Sequence, residues 1–307
     1  MAVKPPILRA GDTIGVVSLG SPLSSALIEA RVQTLRNMGF EVLVGSSAYA
    51  ADGYLAGSPG QRAADFMRMI ENPKVRLILP ARGGVGVAAV LPLLNYTTIA
   101  RNPKIVTGYS DITILLNVLS QFVGLITFHS LLLLDFTPSE PLYNFNQFYA
   151  ATASTAAPRV IDNPPGLPLI GRVGGNVTGP VVGGNLTSFA DAIGTPYEIE
   201  TRGKILLLEE THEPINKVYR MMNRLVLAGK FRDCLGIVMG ECSQCPPAYG
   251  KSYADLINEV LVPLGKPLLT NLASGHGYYK AAIPIGATVN LNATESRLTV
   301  TESTVRV

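Results

Sequence analysis

The segment Lys104-Ile-Val-Thr-Gly108-Tyr-Ser110-Asp-Ile-Thr passes from β-branched residues through a glycine to a serine and then straight into an apolar run. That order of residue types fits a nucleophile elbow, in which a tight strand-to-helix turn presents a serine hydroxyl above the sheet. The chemistry on offer is acyl transfer, because free N–H groups at a helix N-terminus stabilise both an attacking alkoxide and the oxyanion it creates. The elbow pattern G-x-S-x-G is incomplete, since Ile112 stands where the second glycine belongs. An N-cap serine accounts for the same residues.

A serine nucleophile needs a base and an oxyanion donor. The chain holds three histidines, His129, His212 and His276. Gly275-His276-Gly277 has glycines on both sides, which leave a ring accessible and the backbone free to approach a substrate. His129 lies in the apolar stretch Ile126-Thr-Phe-His-Ser-Leu-Leu, where a hydrogen-bonded core histidine is the simpler reading, and His212 beside Glu213-Pro214 reads as a surface residue. The loop Arg82-Gly-Gly-Val-Gly86 follows an apolar strand, so it belongs at the carboxyl end of a sheet, where α/β proteins place ligands. It lacks the remaining spacing of a dinucleotide fingerprint and the Gly-Lys-Ser/Thr of a phosphate loop. It reads as a backbone donor for an oxyanion, or as a tight turn that needs positive φ. Two adjacent acids, Glu209 and Glu210, end the apolar run Ile205 to Leu208, and on a continuing strand they point to opposite faces, so at most one can meet a histidine. Spacing does not choose between them.

The elements that must position these residues follow from periodicity. Thr13 to Ser18 reads as a strand, Ile28, Val32 and Leu35 recur at helical spacing, and Phe40 to Val44 returns to strand. A second cycle places Ala63, Phe66 and Ile70 on a helix and Val75 to Leu79 on a strand; Lys104 to Val106 opens a third strand before a helix from about Asp111. Continuous apolar strands alternating with helices predict a mostly parallel sheet covered on both faces. The pattern dissolves between Thr137 and Pro168, with Asn163-Pro-Pro-Gly166 as the strongest breaker. The expected organisation is a nucleophile domain at 1–150, a linker at 151–170 and a second α/β domain at 171–307, with strands at Lys204 to Leu208, Leu235 to Met239, Thr288 to Leu291 and Leu298 to Thr301 and a helix over Ile215 to Ala228.

Composition narrows the function classes. With 47% hydrophobic and 15% charged residues in 307, the chain buries a large core and is not disordered. The 25 basic and 22 acidic residues form no stripe able to neutralise phosphates, so nucleic acid is not an expected partner. No apolar run reaches the ~20 residues of a membrane span, and the start lacks a secretory h-region, so no membrane association and a cytoplasmic location are expected. Three cysteines clustered at Cys234, Cys242 and Cys245 argue for a reducing compartment and against a disulfide; Cys242-Ser-Gln-Cys245 matches C-x-x-C but two prolines follow it, so it reads as a loop with small, partly buried thiols.

Taken together, the segments Ile7-Leu-Arg-Ala-Gly-Asp-Thr-Ile-Gly-Val-Val, Gly53-Tyr-Leu-Ala-Gly, Arg82-Gly-Gly-Val-Gly, Gly108-Tyr-Ser-Asp-Ile-Thr, Gly183-Gly-Asn-Leu, Gly194-Thr-Pro-Tyr, Ile205-Leu-Leu-Leu-Glu-Glu, Gly275-His-Gly and Pro284-Ile-Gly resemble the LD-carboxypeptidase and microcin-immunity family of serine peptidases over nearly the whole chain. The resemblance implies an N-terminal flavodoxin-like, or class I glutaminase-like, parallel-sheet domain and a C-terminal swivelling β/α domain with the site between them. It places the family's serine on Ser110, its glutamate on Glu209 and its histidine on His276, with oxyanion donors at the N–H of Asp111 and of Gly84. It further implies a homodimer, no metal and no cofactor, and a small muropeptide-like substrate that loses its terminal D-alanine. The microcin-immunity branch instead cleaves an amide in a peptidyl- or aminoacyl-nucleotide, and a non-catalytic binding protein on the same fold is a third possibility. Three departures bear on specificity: Val85 replaces an aromatic, Ala89 an arginine that would bind a carboxylate, and Asn95 an aspartate. The absence of tryptophan argues against the nucleotide branch, where a bulky aromatic would stack on a base, although Tyr or Phe can substitute.

Overall fold

The computed structural model describes residues 2–307. Five strands, β1 (Thr13–Val17), β2 (Glu41–Val44), β3 (Val75–Pro80), β4 (Ile105–Gly108) and β5 (Thr127–His129), pair in parallel in the order β2-β1-β3-β4-β5. This is the flavodoxin-like order, whose switch point lies between β1 and β3. The loops leaving those two strands touch there, and a Cβ on Gly20 would stand 2.2 Å from the carbonyl oxygen of Gly83. Helices α1 (Ser25–Asn37), α2 (Pro59–Glu71), α3 (Tyr96–Arg101) and α4 (Ile112–Val123) alternate with the strands, followed by α5 (Leu142–Thr152). The expected parallel sheet and its helices are therefore present, with boundaries shifted by a residue or two. All eight residues from Ile112 to Leu119 are buried, because α4 is covered by the first sheet on one side and by the second half of the chain on the other.

The second sheet collects β6 (Arg159–Val160), β7 (Ile170–Val173), β8 (Asn176–Asn185), β9 (Ile205–Thr211), β10 (Gly236–Ser243), β11 (Leu268–Leu272), β13 (Thr288–Asn292) and β14 (Arg297–Val300) in the order β6-β14-β13-β8-β9-β10-β11-β7. Its centre, β8 to β11, is parallel and its flanks are antiparallel. Two helices serve the site: the short α6 (Leu186–Asp191) directly after β8, and α7 (Ile215–Leu227), which buries Ile215, Val218, Met222 and Leu225 at helical spacing. One strand, β12 (Ile283–Ile285), leaves this half and adds antiparallel to β5 at the edge of the first sheet, with Ile283 opposite His129.

A hydrogen-bonded clamp aligns α4 with the second sheet. Asn117 donates its Nδ2 to the Gly183 carbonyl at 2.9 Å and accepts the Gly183 N–H at 2.8 Å, while Thr113 Oγ1 accepts the Asn185 N–H at 3.0 Å. A buried amide that completes a backbone ladder in this way is costly to remove. Asn117→Leu is expected to destabilise the fold by about 1–3 kcal/mol, to be measured by urea unfolding.

The expectation of free thiols in the C-x-x-C segment is corrected. Cys242 and Cys245 are joined by a disulfide, because Gln244 at φ 56 closes a tight turn that brings their Cα atoms to 5.4 Å, within bonding range. Among the described residues no helix is long and apolar enough to cross a membrane.

Candidate active site

Ser110 sits between β4 and α4 with φ 61, a left-handed backbone that non-glycine side chains seldom adopt. The strain has a structural cause. Gly108 ahead of it, at φ 147, turns the chain where a Cβ would strike Ile112 at 2.9 Å, and the glycine loop lies directly against the serine. A Cβ on Gly83 would come within 2.6 Å of Ser110 Cβ and 2.9 Å of the Asp111 nitrogen. The elbow thus forms without the second glycine of the usual pattern, because its close backbone approach is supplied by Gly83 from the loop that follows the neighbouring strand β3.

The glycine loop is pinned at several points. Val85 N–H donates to Ser21 Oγ at 3.2 Å, Val87 N–H to Asp111 Oδ2 at 2.8 Å, and the buried Arg62 guanidinium donates to the carbonyls of Leu19 and Gly86. The N–H groups of Gly84 and Asp111 take no part in these bonds and have no hydrogen-bond partner among the described residues. Asp111 does more than end a helix, since its other oxygen accepts from Ser188 on α6 at 3.2 Å. Burial pushes its carboxyl above the usual range, only partly offset by those two donors.

β9 runs on through both glutamates, so the pleat alternates them as expected. Glu209 is 1% exposed and faces the loop after β11; there Oε2 lies 2.8 Å from His276 Nδ1 and 3.3 Å from the His276 backbone nitrogen, which donates to it. Burial alone would raise the Glu209 carboxyl, but the imidazoles of His129 and His276 outweigh it and hold it at about 2. Burial likewise disfavours a charged His276, and Glu209 overcomes this, lifting the imidazole above its ordinary 6.5. The His276 ring stands edge-on to Tyr109, with centroids 5.0 Å apart, which seats it beside the residue preceding Ser110.

The glycines flanking His276 serve a purpose different from the one expected. Gly275, at φ 67, lies where a Cβ would stand 2.3 Å from Glu209 Oε2, and a Cβ on Gly277 would be 2.4 Å from Glu241 Oε2. They let the chain close over two carboxylates rather than over a substrate. Gly240, in the bulge of β10 opposite Glu209, has the same role, with a Cβ position 2.9 Å from Glu209 Cβ. Gly275→Ala is expected to cost about 2–4 kcal/mol by adding overpacking to left-handed strain. Gly265→Ala, with the same backbone at φ 65 and nothing within 4 Å, should cost only about 1 kcal/mol; denaturant unfolding of both variants separates the two terms.

Glu210, the second acid of the pair, meets a different set of partners. It is 3% exposed and accepts from Asn185 Nδ2 at 3.1 Å, Thr187 N–H at 2.8 Å, Thr187 Oγ1 at 2.7 Å and Thr211 N–H at 2.8 Å. It therefore anchors the first turn of α6. Burial nonetheless keeps its carboxyl above the usual range. His212 is exposed, as expected, whereas His129 is fully buried but makes no hydrogen bond through either ring nitrogen.

A cavity of about 670 Å³ opens beside Ser110, bounded by the glycine loop, by Ala89 and by α6 and the residues after it up to Tyr197. Four carboxylates, Asp111, Asp191, Glu210 and Glu213, line it, and no lysine or arginine does so among the described residues. A strained serine at a helix start, a buried carboxylate–imidazole pair and adjoining free backbone donors are the parts of a serine hydrolase site.

The profile of the LD-carboxypeptidase N-terminal domain matches residues 14–130, and that of the C-terminal domain matches residues 178–291. The chain belongs to the LD-carboxypeptidase family. It is 33% identical to the probable murein peptide carboxypeptidase of Bacillus subtilis over 95% of this chain and 92% of that protein. It is 27% identical to the microcin C7 self-immunity protein of Escherichia coli over 96% and 94% of the two chains. The solved structure of that immunity protein in complex with aspartyl sulfamoyl adenosine superposes with a TM-score of 0.91 at 25% identity, covering 99% of this chain and all of the other.

Proposed function

We propose that the protein is a serine-type LD-carboxypeptidase that hydrolyses an L,D-peptide bond and releases the terminal D-alanine of a murein tetrapeptide through Ser110, His276 and Glu209. The observation that carries this reading is the 2.8 Å contact of Glu209 with His276 Nδ1, which leaves Nε2 as the basic nitrogen of a ring packed against Tyr109, the residue before the strained serine. In the proposed mechanism His276 Nε2 takes the Ser110 proton as Oγ attacks the carbonyl, and the oxyanion is met by the N–H of Asp111 and Gly84. His276 then returns the proton to the departing amine, and a water reverses the sequence to free the acyl group. Glu209 stays ionised throughout, fixing the tautomer and stabilising the imidazolium.

The lining of the cavity favours this reading over an acidic aminoacyl-nucleotide substrate. As a pocket for the acyl side chain, four carboxylates and no cation suit the amine of a lysine third residue better than the carboxylate of an aspartyl nucleoside, whereas the terminal carboxylate of the tetrapeptide has to be bound outside this cavity. Ala89 stands in its wall, at the position where the family often carries an arginine. The test is to incubate purified protein with tetrapeptides ending in D-alanine whose third residue is lysine or glutamate, alongside aspartyl sulfamoyl adenosine. Release of D-alanine is expected, faster from the lysine peptide. No release from either peptide, or hydrolysis of the nucleoside alone, would remove the assignment.

The pH dependence follows from the same pair. His276 must be neutral to act as base, so kcat/KM is expected to fall as pH drops through its pKa, with a midpoint above 6.5. Glu209→Gln removes the anion that lifts it and should move that midpoint down.

A further inference from the structure

The Glu209 carboxylate has two oxygens and the proposed mechanism uses one. Oε2 is taken by His276, whereas Oε1 is buried and without a hydrogen-bond partner. Oε1 is approached by His129, whose Nε2 lies 3.8 Å away, and both ring nitrogens of His129 are themselves buried and unpartnered. Three orphaned polar atoms therefore meet in one water-excluded place, which is uncommon in a folded core. At 3.8 Å the contact is electrostatic, and a closure of about 0.5–1 Å makes it a hydrogen bond.

The fold makes room for this imidazole. His129 ends β5, where its backbone is held between Gly108 of β4 and Ile283 of β12. The ring reaches toward Glu209 past Gly184 of β8, where a Cβ would stand 2.8 Å from His129 Cδ2. Gly184 is at φ 137, so that stretch of the second sheet is bent into a glycine conformation at the point where the ring passes. A histidine needed only for packing gains nothing from facing a buried carboxylate with its Nε2 edge.

We propose that His129 is a positioning residue, a second imidazole that shares the Glu209 carboxylate through Oε1 and thereby moderates the basicity of His276. The inference rests on Glu209 being the partner of the general base. An Nε2–H dipole aimed at Oε1 stabilises the carboxylate and draws off part of the field it exerts on His276. Without it Glu209 pulls harder on the His276 proton, and more of the enzyme is in the protonated, inactive form at neutral pH. The other groups that bear on this pair are Glu210 of β9, Glu241 of β10, Tyr253 after β10, and Tyr109, Asp135, Glu140 and Lys280 around the His276 loop. None of them changes in the variants below.

The chain contains only three histidines, so each imidazole can be assigned by single substitution and titrated by ¹⁵N NMR without any substrate. His129→Phe, which keeps a planar ring and deletes both nitrogens, is expected to raise the His276 midpoint by roughly half a pH unit or more. His129→Gln, which returns an N–H to the same region, is expected to bring it back toward the wild-type value. Should the phenylalanine variant not fold, His129→Leu carries the same expectation. An unchanged or lowered midpoint in the apolar variants, or an equal shift in His129→Gln, overturns the proposal and leaves His129 as packing. Glu209→Gln in the same titration keeps the two readings apart. A lowered His276 midpoint there with no effect of His129→Phe sinks only the role of His129, whereas no effect of Glu209→Gln sinks the carboxylate arm itself.

Discussion

Ser110→Ala is expected to lower kcat by roughly 10⁵- to 10⁶-fold, the scale on which a triad nucleophile is lost, while leaving the protein folded. The hydroxyl is the only group removed. The contacts that shape the elbow are made by the backbone, through Gly83 and Gly108, and by the Cβ that alanine retains. The left-handed conformation at φ 61 also remains, so unfolding free energy should change by less than about 0.5 kcal/mol. Residual hydrolysis would come from the backbone donors and from binding. Single-turnover and steady-state measurements on a tetrapeptide cleaved by the wild type, together with urea unfolding, check both halves. A folded Ser110→Ala protein that turns over near the wild-type rate would put the nucleophile elsewhere.

The second large effect is a contrast between two neighbouring acids. Glu209→Gln keeps shape and an acceptor oxygen but permits the wrong His276 tautomer and removes the counter-charge of the imidazolium; a fall in kcat of roughly a thousand- to ten-thousand-fold is expected. Glu210→Gln acts differently, because all four groups on that carboxylate donate to it. A glutamine places an NH₂ against donors, so about 1–3 kcal/mol of stability should be lost, with kcat reduced far less than in Glu209→Gln. Activity separates the two variants, and unfolding shows whether any loss of kcat in Glu210→Gln is a loss of fold. A severe loss of kcat confined to Glu210→Gln would transfer the proposed role to Glu210, and mild effects from both would end the carboxylate arm of the mechanism.

Both contrasts depend on geometry of which the sequence carries a definite part. Alternating apolar runs and helical repeats determine the first parallel sheet, because burial on both faces demands continuous Val, Ile and Leu strands, as in Leu77 to Leu79 and Ile105 to Val106. The candidate residues are also local in origin: a glycine and a serine before an apolar helix, a glycine loop after a strand, and two acids ending a third strand each announce themselves within ten residues. The alternation of Glu209 and Glu210 follows from the two-residue pleat of β9, which continues through both acids.

What each residue meets is decided at long range. Nothing near Gly275 in sequence says that its missing Cβ makes room for Glu209, 66 residues away, or that Gly83 completes the elbow of Ser110 from the loop after β3. The turn at Gln244 that joins Cys242 to Cys245 depends on backbone angles that composition leaves open. His129 is the clearest case: its apolar neighbours correctly predict burial, since they form β5, but the facing carboxylate arrives from β9 of the other sheet. Hydrophobic periodicity records which side of an element is buried, because transfer from water depends on each side chain alone. The identity of a buried polar partner depends on how two sheets are docked, and that is set here by the clamp of Asn117 and Thr113 on Gly183 and Asn185, contacts between residues about 70 positions apart in the chain.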